Sequence, residues 1–137
     1  MKVYKFGGAS VKNAEGVRNL HNIVSGEKDL FIIVSAMGKT TNALEGVFAA
    51  MQQGNEKLAM ERIDESYAYH RGIIDDLMGA DVTIEQVDLL FKQLRNTVRN
   101  TIYRPSDAEL WYDTIVAFGE LVSTTIISNY LNGHGVA

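Results

Sequence analysis

Lys5-Phe6-Gly7-Gly8-Ala9-Ser10-Val11 is the stretch on which the reading of this chain turns. The strand-like run Met1 to Phe6 carries a lysine near its end, and two adjacent glycines and a hydroxyl follow ahead of helix-forming sequence. Glycine has no Cβ to hold a ligand away from the backbone N–H groups. A helix N-terminus placed next would add unpaired donors and a positive dipole end, and the lysine adds a full charge. Together these features describe a phosphate cradle. A plain tight turn between strand and helix accounts for the glycines equally well, so the surrounding sequence has to decide.

Working outward, Asn13 reads as the N-cap of a helix from about Ala14 to Ser25, with Val17, Leu20 and Val24 on one face and Gly26 as its stop. Leu30-Phe31-Ile32-Ile33-Val34 is an unbroken apolar run, as expected of a strand buried on both faces. Ser35 to Thr41 forms the loop after it, and Asn42 with Glu45 reads as a capping box for a helix running toward Gln53. Strand, helix, strand, helix over residues 1–53 predicts an α/β unit with a right-handed crossover and parallel strands. Both glycine-bearing loops then lie at the C-terminal edge of the sheet, where open α/β sheets bind ligands.

From Asn55 to Leu131 the periodicity is helical. One stripe is Ile63, Tyr67, His70, Ile74 and Leu77. A second is Ile84, Val87, Phe91, Leu94, Val98 and Ile102, with Thr83 and Gln86 as its cap. Pro105 ends that element. Ser106 with Glu109 caps a third helix whose stripe is Trp111, Ile115, Phe118, Val122 and Ile126. Core packing explains all three stripes without a cofactor. After Leu131 a glycine C-cap and the start of an extended segment are expected, which marks the chain as a piece of a longer protein.

Composition narrows the function. A net charge of −4 argues against nucleic acid or an anionic membrane as the main partner. The chain has no cysteine, and its histidines, His21, His70 and His134, sit at no metal-ligating spacing. No apolar run approaches the ~20 residues of a membrane span. The N-terminus lacks an apolar signal region, so a cytoplasmic location is expected.

Two further segments could carry chemistry. Gly38-Lys39-Thr40 imitates the end of a P-loop, but the glycine that motif needs five residues earlier is Ile33, inside the strand. Ser35, Thr40, Thr41 and Asn42 remain a dense polar set on the cradle's edge, open to reading as caps or as a second subsite. Glu120 falls at the margin of the last helix's apolar arc. Gly119 lies inside that arc, at a cost of about 1 kcal/mol relative to alanine, so another backbone or a ligand is expected to come close there.

These segments resemble the aspartate kinase family of the amino acid kinase fold. The opening Lys-Phe-Gly-Gly-Thr-Ser-Val signature is matched by Lys5 to Val11 except at Ala9. Val34-Ser35-Ala36 with Thr41-Asn42 matches the second signature, and Gly119-Glu120 with Ser123 the third. The resemblance implies the N-terminal part of a carbamate kinase-like α/β fold, with parallel strands and a large helical insertion. It further implies ATP-dependent phosphorylation of the L-aspartate β-carboxylate with Mg²⁺. Lys5 would contact the transferring phosphoryl group. Gly7, Gly8 and Ser10 would belong to the ATP-binding turn, while Ser35, Thr41 and Glu120 would lie on the substrate side. The rest of the kinase domain and any ACT domains would follow residue 137, so this segment alone is expected to have little or no activity. The complete protein is expected to be a homo-oligomer. Glutamate and N-acetylglutamate kinases share the fold and stay open as alternatives, as does a non-catalytic helical interaction module.

Overall fold

A computed structural model describes residues 1–135. Two parallel strands, β1 (Lys2–Phe6) and β2 (Leu30–Val34), are joined by a single 3₁₀ turn (Gly8–Val11) and helix α1 (Ala14–Val24). Then come α2 (Thr40–Gln52), α3 (Glu56–Met78), α4 (Glu85–Asn100), a second 3₁₀ turn (Pro105–Asp107) and α5 (Ala108–Gly133). The expected α/β start and helical insertion are both present. The extended segment expected at the C-terminal end reaches residues 136 and 137, outside the described residues.

The strands pair in register, Lys5 opposite Ile33 and Phe6 opposite Val34. Side chains alternate between faces, so Val3, Lys5, Phe31 and Ile33 share one face, and Tyr4, Phe6, Ile32 and Val34 the other. Only the second face meets the core. Phe31 is 54% exposed and Ile33 42%, which corrects the expectation of a strand buried on both sides. The run is apolar throughout, but helices cover only one side of this two-stranded sheet.

Helix starts show where local signals hold. Asn13 caps α1 as expected, its Oδ1 accepting from the Gly16 N–H at 2.9 Å, and Asn55 does the same for α3 with the Leu58 N–H. The other three boxes fail. α2 begins at Thr40, two residues before Asn42, because the Thr40 N–H turns back to the Met37 carbonyl at 3.0 Å. Asn42 is therefore inside the helix, and Glu45 instead accepts from the Tyr112 hydroxyl at 2.8 Å. α4 starts at Glu85 with buried Ile84 at its N-cap, since burying the isoleucine outweighs a threonine cap. A 3₁₀ turn at Pro105 precedes α5, displacing Ser106 and Glu109 from their expected roles. Ile102 lies beyond the end of α4 and is 84% exposed, so it leaves the expected stripe.

The core runs from α2, packed on α3 and α5, to α4, which packs on the same two helices. Phe91, fully buried, receives Tyr67 and Phe118 edge-on with ring centroids 5.2 and 5.1 Å away, an arrangement that aligns ring edge with ring face. A second cluster seats the α4–α5 connection on α2, with Phe48 between Tyr103 and Tyr112. By length and composition α5 could cross a membrane. Here it is a core helix, with Ile115, Phe118, Val122 and Ile126 buried among its neighbours.

Candidate functional site

Three segments converge at the C-terminal edge of the sheet. The strand ladder continues past β2, with the Ser35 N–H donating to the Phe6 carbonyl at 3.0 Å. The two loops then clasp through main-chain atoms, the Gly38 N–H donating to the Gly8 carbonyl at 2.9 Å. A Cβ on Gly8 would lie 2.8 Å from the Ala36 oxygen and 2.9 Å from the Gly38 oxygen, closer than real Cβ atoms come. Glycine at position 8 is therefore required by the clasp itself. Gly7 is different. It is extended, and nothing lies within 4 Å of the place a Cβ would occupy.

The helix that follows the glycines starts at Ala14, as expected, and does not abut them. One 3₁₀ turn, closed by the Ser10 N–H on the Gly7 carbonyl at 3.0 Å, intervenes. Asn13 caps that start, so the donors near the cradle are those of the turn and not of an α-helix end. The turn lies against the first turn of α1, and any side chain at Gly16 would collide with the Ser10 carbonyl. Gly16 is a contact residue that the motifs do not mark. Its signal was a glycine in the first turn of an otherwise regular helix.

α5 supplies the third segment. A Cβ on Gly119 would lie 2.8 Å from the Ala36 Cβ, 3.1 Å from Thr40 Cγ2 and 3.2 Å from Leu44 Cδ1. The close approach expected at Gly119 is thus the β2–α2 loop and the start of α2. One turn along, buried Ser123 donates its hydroxyl to the Ser35 carbonyl at 2.7 Å. Glu120, between these two contacts, is exposed.

Lys5, Ser10, Thr41 and Glu120 are all solvent-exposed, and Ser35 is half-buried. Lys5 stands on the open face of the sheet, opposite Ile33. Thr41 opens α2, and of the polar set after β2 only Thr40 is buried. Thr40 donates to the Met37 carbonyl at 2.5 Å, and its oxygen lies 3.4 Å from His70 Nε2. The site is an open shelf, not an enclosed pocket. A cleft of about 180 Å³ lies to one side, between α2 and α3, and includes none of the seven expected residues.

Two features escaped the sequence. His70, fully buried, gives Nδ1–H to the Ser66 carbonyl at 2.7 Å, and burial pushes its pKa below the ordinary 6.5 against the opposing pull of that bond. His21 and His134, far apart in the chain, bring their rings to 5.4 Å beside Tyr130. No third ligand joins them among the described residues, where no group of three His, Asp or Glu side chains forms.

A family model described as the amino acid kinase family matches residues 1–137. The chain is 31% identical over 137 residues to "Aspartokinase 2, chloroplastic" of Arabidopsis thaliana, an alignment covering 97% of this chain and 25% of that protein. It is 29% identical over 128 residues to an aspartokinase of Chlamydia trachomatis serovar D, covering 93% and 27%. Its fold matches E. coli aspartokinase III in complex with lysine and aspartate, with a TM-score of 0.81 at 23% identity over 100% of this chain and 30% of that one. The same enzyme with aspartate and ADP gives 0.79 at 23% identity, over 98% and 29%. The chain thus spans about a quarter of the length of the curated relatives it matches.

Proposed function

Because the chain belongs to the amino acid kinase family, we propose that it forms the phosphate-binding wall and part of the amino-acid-binding wall of an ATP-dependent aspartate kinase. The reaction is transfer of the ATP γ-phosphoryl group to the β-carboxylate of L-aspartate. It yields aspartyl-β-phosphate for lysine, threonine and methionine biosynthesis. The observation that carries this reading is the convergence of the three signature segments. The Gly38–Gly8 bond joins the first two, and the Ser123–Ser35 bond joins the third.

In this reading Lys5 meets the transferring phosphoryl group from the open sheet face. The unobstructed Gly7 backbone and the turn through Gly8 and Ser10 receive the ATP phosphates. Ser35 and Thr41 border the amino acid, and the Glu120 carboxylate pairs with its ammonium group. A carboxylate oxygen of aspartate attacks the γ-phosphorus, and the bond to the bridging oxygen of ADP breaks. The attacking carboxylate is already ionised at neutral pH, with a reference pKa near ~3.9, so no general base is required. Positioning and charge stabilisation then carry the rate.

Mg²⁺ is the family's companion to ATP, but the described residues offer it no cluster of carboxylates. The metal would be held chiefly by the nucleotide phosphates, as Mg²⁺ commonly is. The seven residues supply no step through it. We place the complete protein in the cytoplasm as a homo-oligomer. The apolar sheet face left open at Phe31 and Ile33 needs covering, which the remainder of the domain would supply.

Hydroxamate trapping of acyl phosphate made by the full-length gene product, with ATP and aspartate both required, tests the reading. Absence of aspartate-dependent product, or product from glutamate instead, would overturn it. Residues 1–137 alone should give none.

A further inference from the structure

Tyr69 and His70 are consecutive residues of α3; Tyr69 reaches Lys12 and Gly38, and His70 reaches the first residue of α2, Thr40. The Tyr69 hydroxyl donates to the Lys12 carbonyl, just beyond the 3₁₀ turn. The same phenol oxygen fills the space a Cβ on Gly38 would need, and Gly38 sits in the left-handed region at φ 55°. Gly38 in turn donates to the Gly8 carbonyl at 2.9 Å. One phenol therefore touches both ends of the glycine turn, directly at Lys12 and through Gly38 at Gly8.

The ring's other flank borders the 180 Å³ cleft lined by Thr40, Ala43 and Ser66, and Tyr69 is 39% exposed. Enclosure does not fix this side chain. Its hydroxyl bond does. Burial raises the phenol's pKa above the ordinary 10, and the group is a protonated donor at physiological pH with or without that shift. His70 next to it is fully enclosed and holds α3 against Thr40, which fixes the base from which Tyr69 reaches.

We propose that Tyr69 is a positioning residue for the nucleotide phosphates: it sets the Gly7–Gly8 turn against the β2–α2 loop, so that affinity for ATP depends on the seating of α3. This rests on the kinase reading, and it assigns the helical insertion a role in nucleotide binding.

The test is Tyr69→Phe in the full-length gene product. Without nucleotide, the Ser10 and Gly38 amides should exchange about five- to tenfold faster, while amides around Phe91 keep their wild-type rates. With nucleotide, KM for ATP should rise about fivefold, and kcat should fall by less than KM rises. Gly38→Ala is the second variant. Part of its loss should be relieved by adding Tyr69→Phe, which removes the atom that the new methyl meets. Unchanged exchange at Ser10 and Gly38 would overturn the clamp. Faster exchange with an unchanged KM for ATP would overturn its role in nucleotide binding. A wild-type protein without ATP-dependent turnover would overturn the kinase reading instead, a separate result because exchange is read without nucleotide.

Discussion

Ser123 and Ser35 are 88 residues apart in sequence and 2.7 Å apart in space, hydroxyl to carbonyl. This bond ties the middle of α5, one turn from Glu120, to the residue just beyond β2. Ser123→Ala leaves the half-buried Ser35 carbonyl without that donor and should cost about 1 kcal/mol. Urea unfolding should show a lower midpoint with an unchanged slope.

Gly119→Ala sets two effects against each other. Helix propensity favours alanine by about 1 kcal/mol, but the new methyl would lie 2.8 Å from the Ala36 Cβ. Overpacking typically costs about 1–3 kcal/mol, so steric strain wins and stability falls. Ala36→Gly in the same protein should return part of the loss, measured by thermal unfolding of the four-member cycle.

The two adjacent glycines should separate by function. Gly8→Ala must push aside the Ala36 and Gly38 carbonyls and should destabilise by more than 1 kcal/mol, roughly the scale of overpacking. Gly7→Ala meets nothing and has an ordinary φ of −76°, so stability should hold or rise by about 0.4–1 kcal/mol. Its nucleotide affinity should nonetheless drop, because the methyl enters the approach to the backbone. Calorimetry with ATP analogues alongside melting curves distinguishes these outcomes.

Lys5→Met removes a charge from an exposed strand position that makes no ion pair among the described residues. Unfolding should shift by less than about 0.5 kcal/mol. Turnover in the full-length gene product should fall at least a hundredfold, roughly the scale of losing one electrostatic stabiliser. Equal loss of stability and rate would return Lys5 to a structural role.

His70 gives a signed pH effect. Its folded pKa is lowered by burial, so the unfolded chain binds more protons in the interval below 6.5. The stability contributed by the neutral ring is complete above about pH 6.5 and is lost as pH falls through the lowered folded value. His70→Gln should flatten the change in urea midpoint between pH 7.5 and pH 5, whatever its effect at pH 7.5. An unchanged slope would assign the acid sensitivity to other groups.

Periodicity exposed every long helix because the stripes of α3, α4 and α5 are written locally, each residue's burial following from its place on one face. Asn13 was legible for the same reason, since its partner is three residues away. Asn42, Thr83 and Ser106 do not cap their helices, because the Thr40 turn, the burial of Ile84 and the Pro105 turn beside them set the helix starts instead. The open face of β2 was illegible in an apolar run, because the covering of a strand belongs to its neighbours. In the site, the glycines and Gly119 announced close approach but not what approached. The links from Thr40 to His70, Tyr69 to Lys12 and Ser123 to Ser35 span 30, 57 and 88 residues, beyond the reach of any local pattern.

The bond from Gly38 to Gly8 is made of main-chain atoms alone. Such a fastening constrains the sequence only at the two glycines that make it. Ala9, exposed beside it, stands where the resembling signature has threonine, and that exchange alters nothing the clasp depends on. Lineages can therefore trade letters at position 9 while the turn keeps its place.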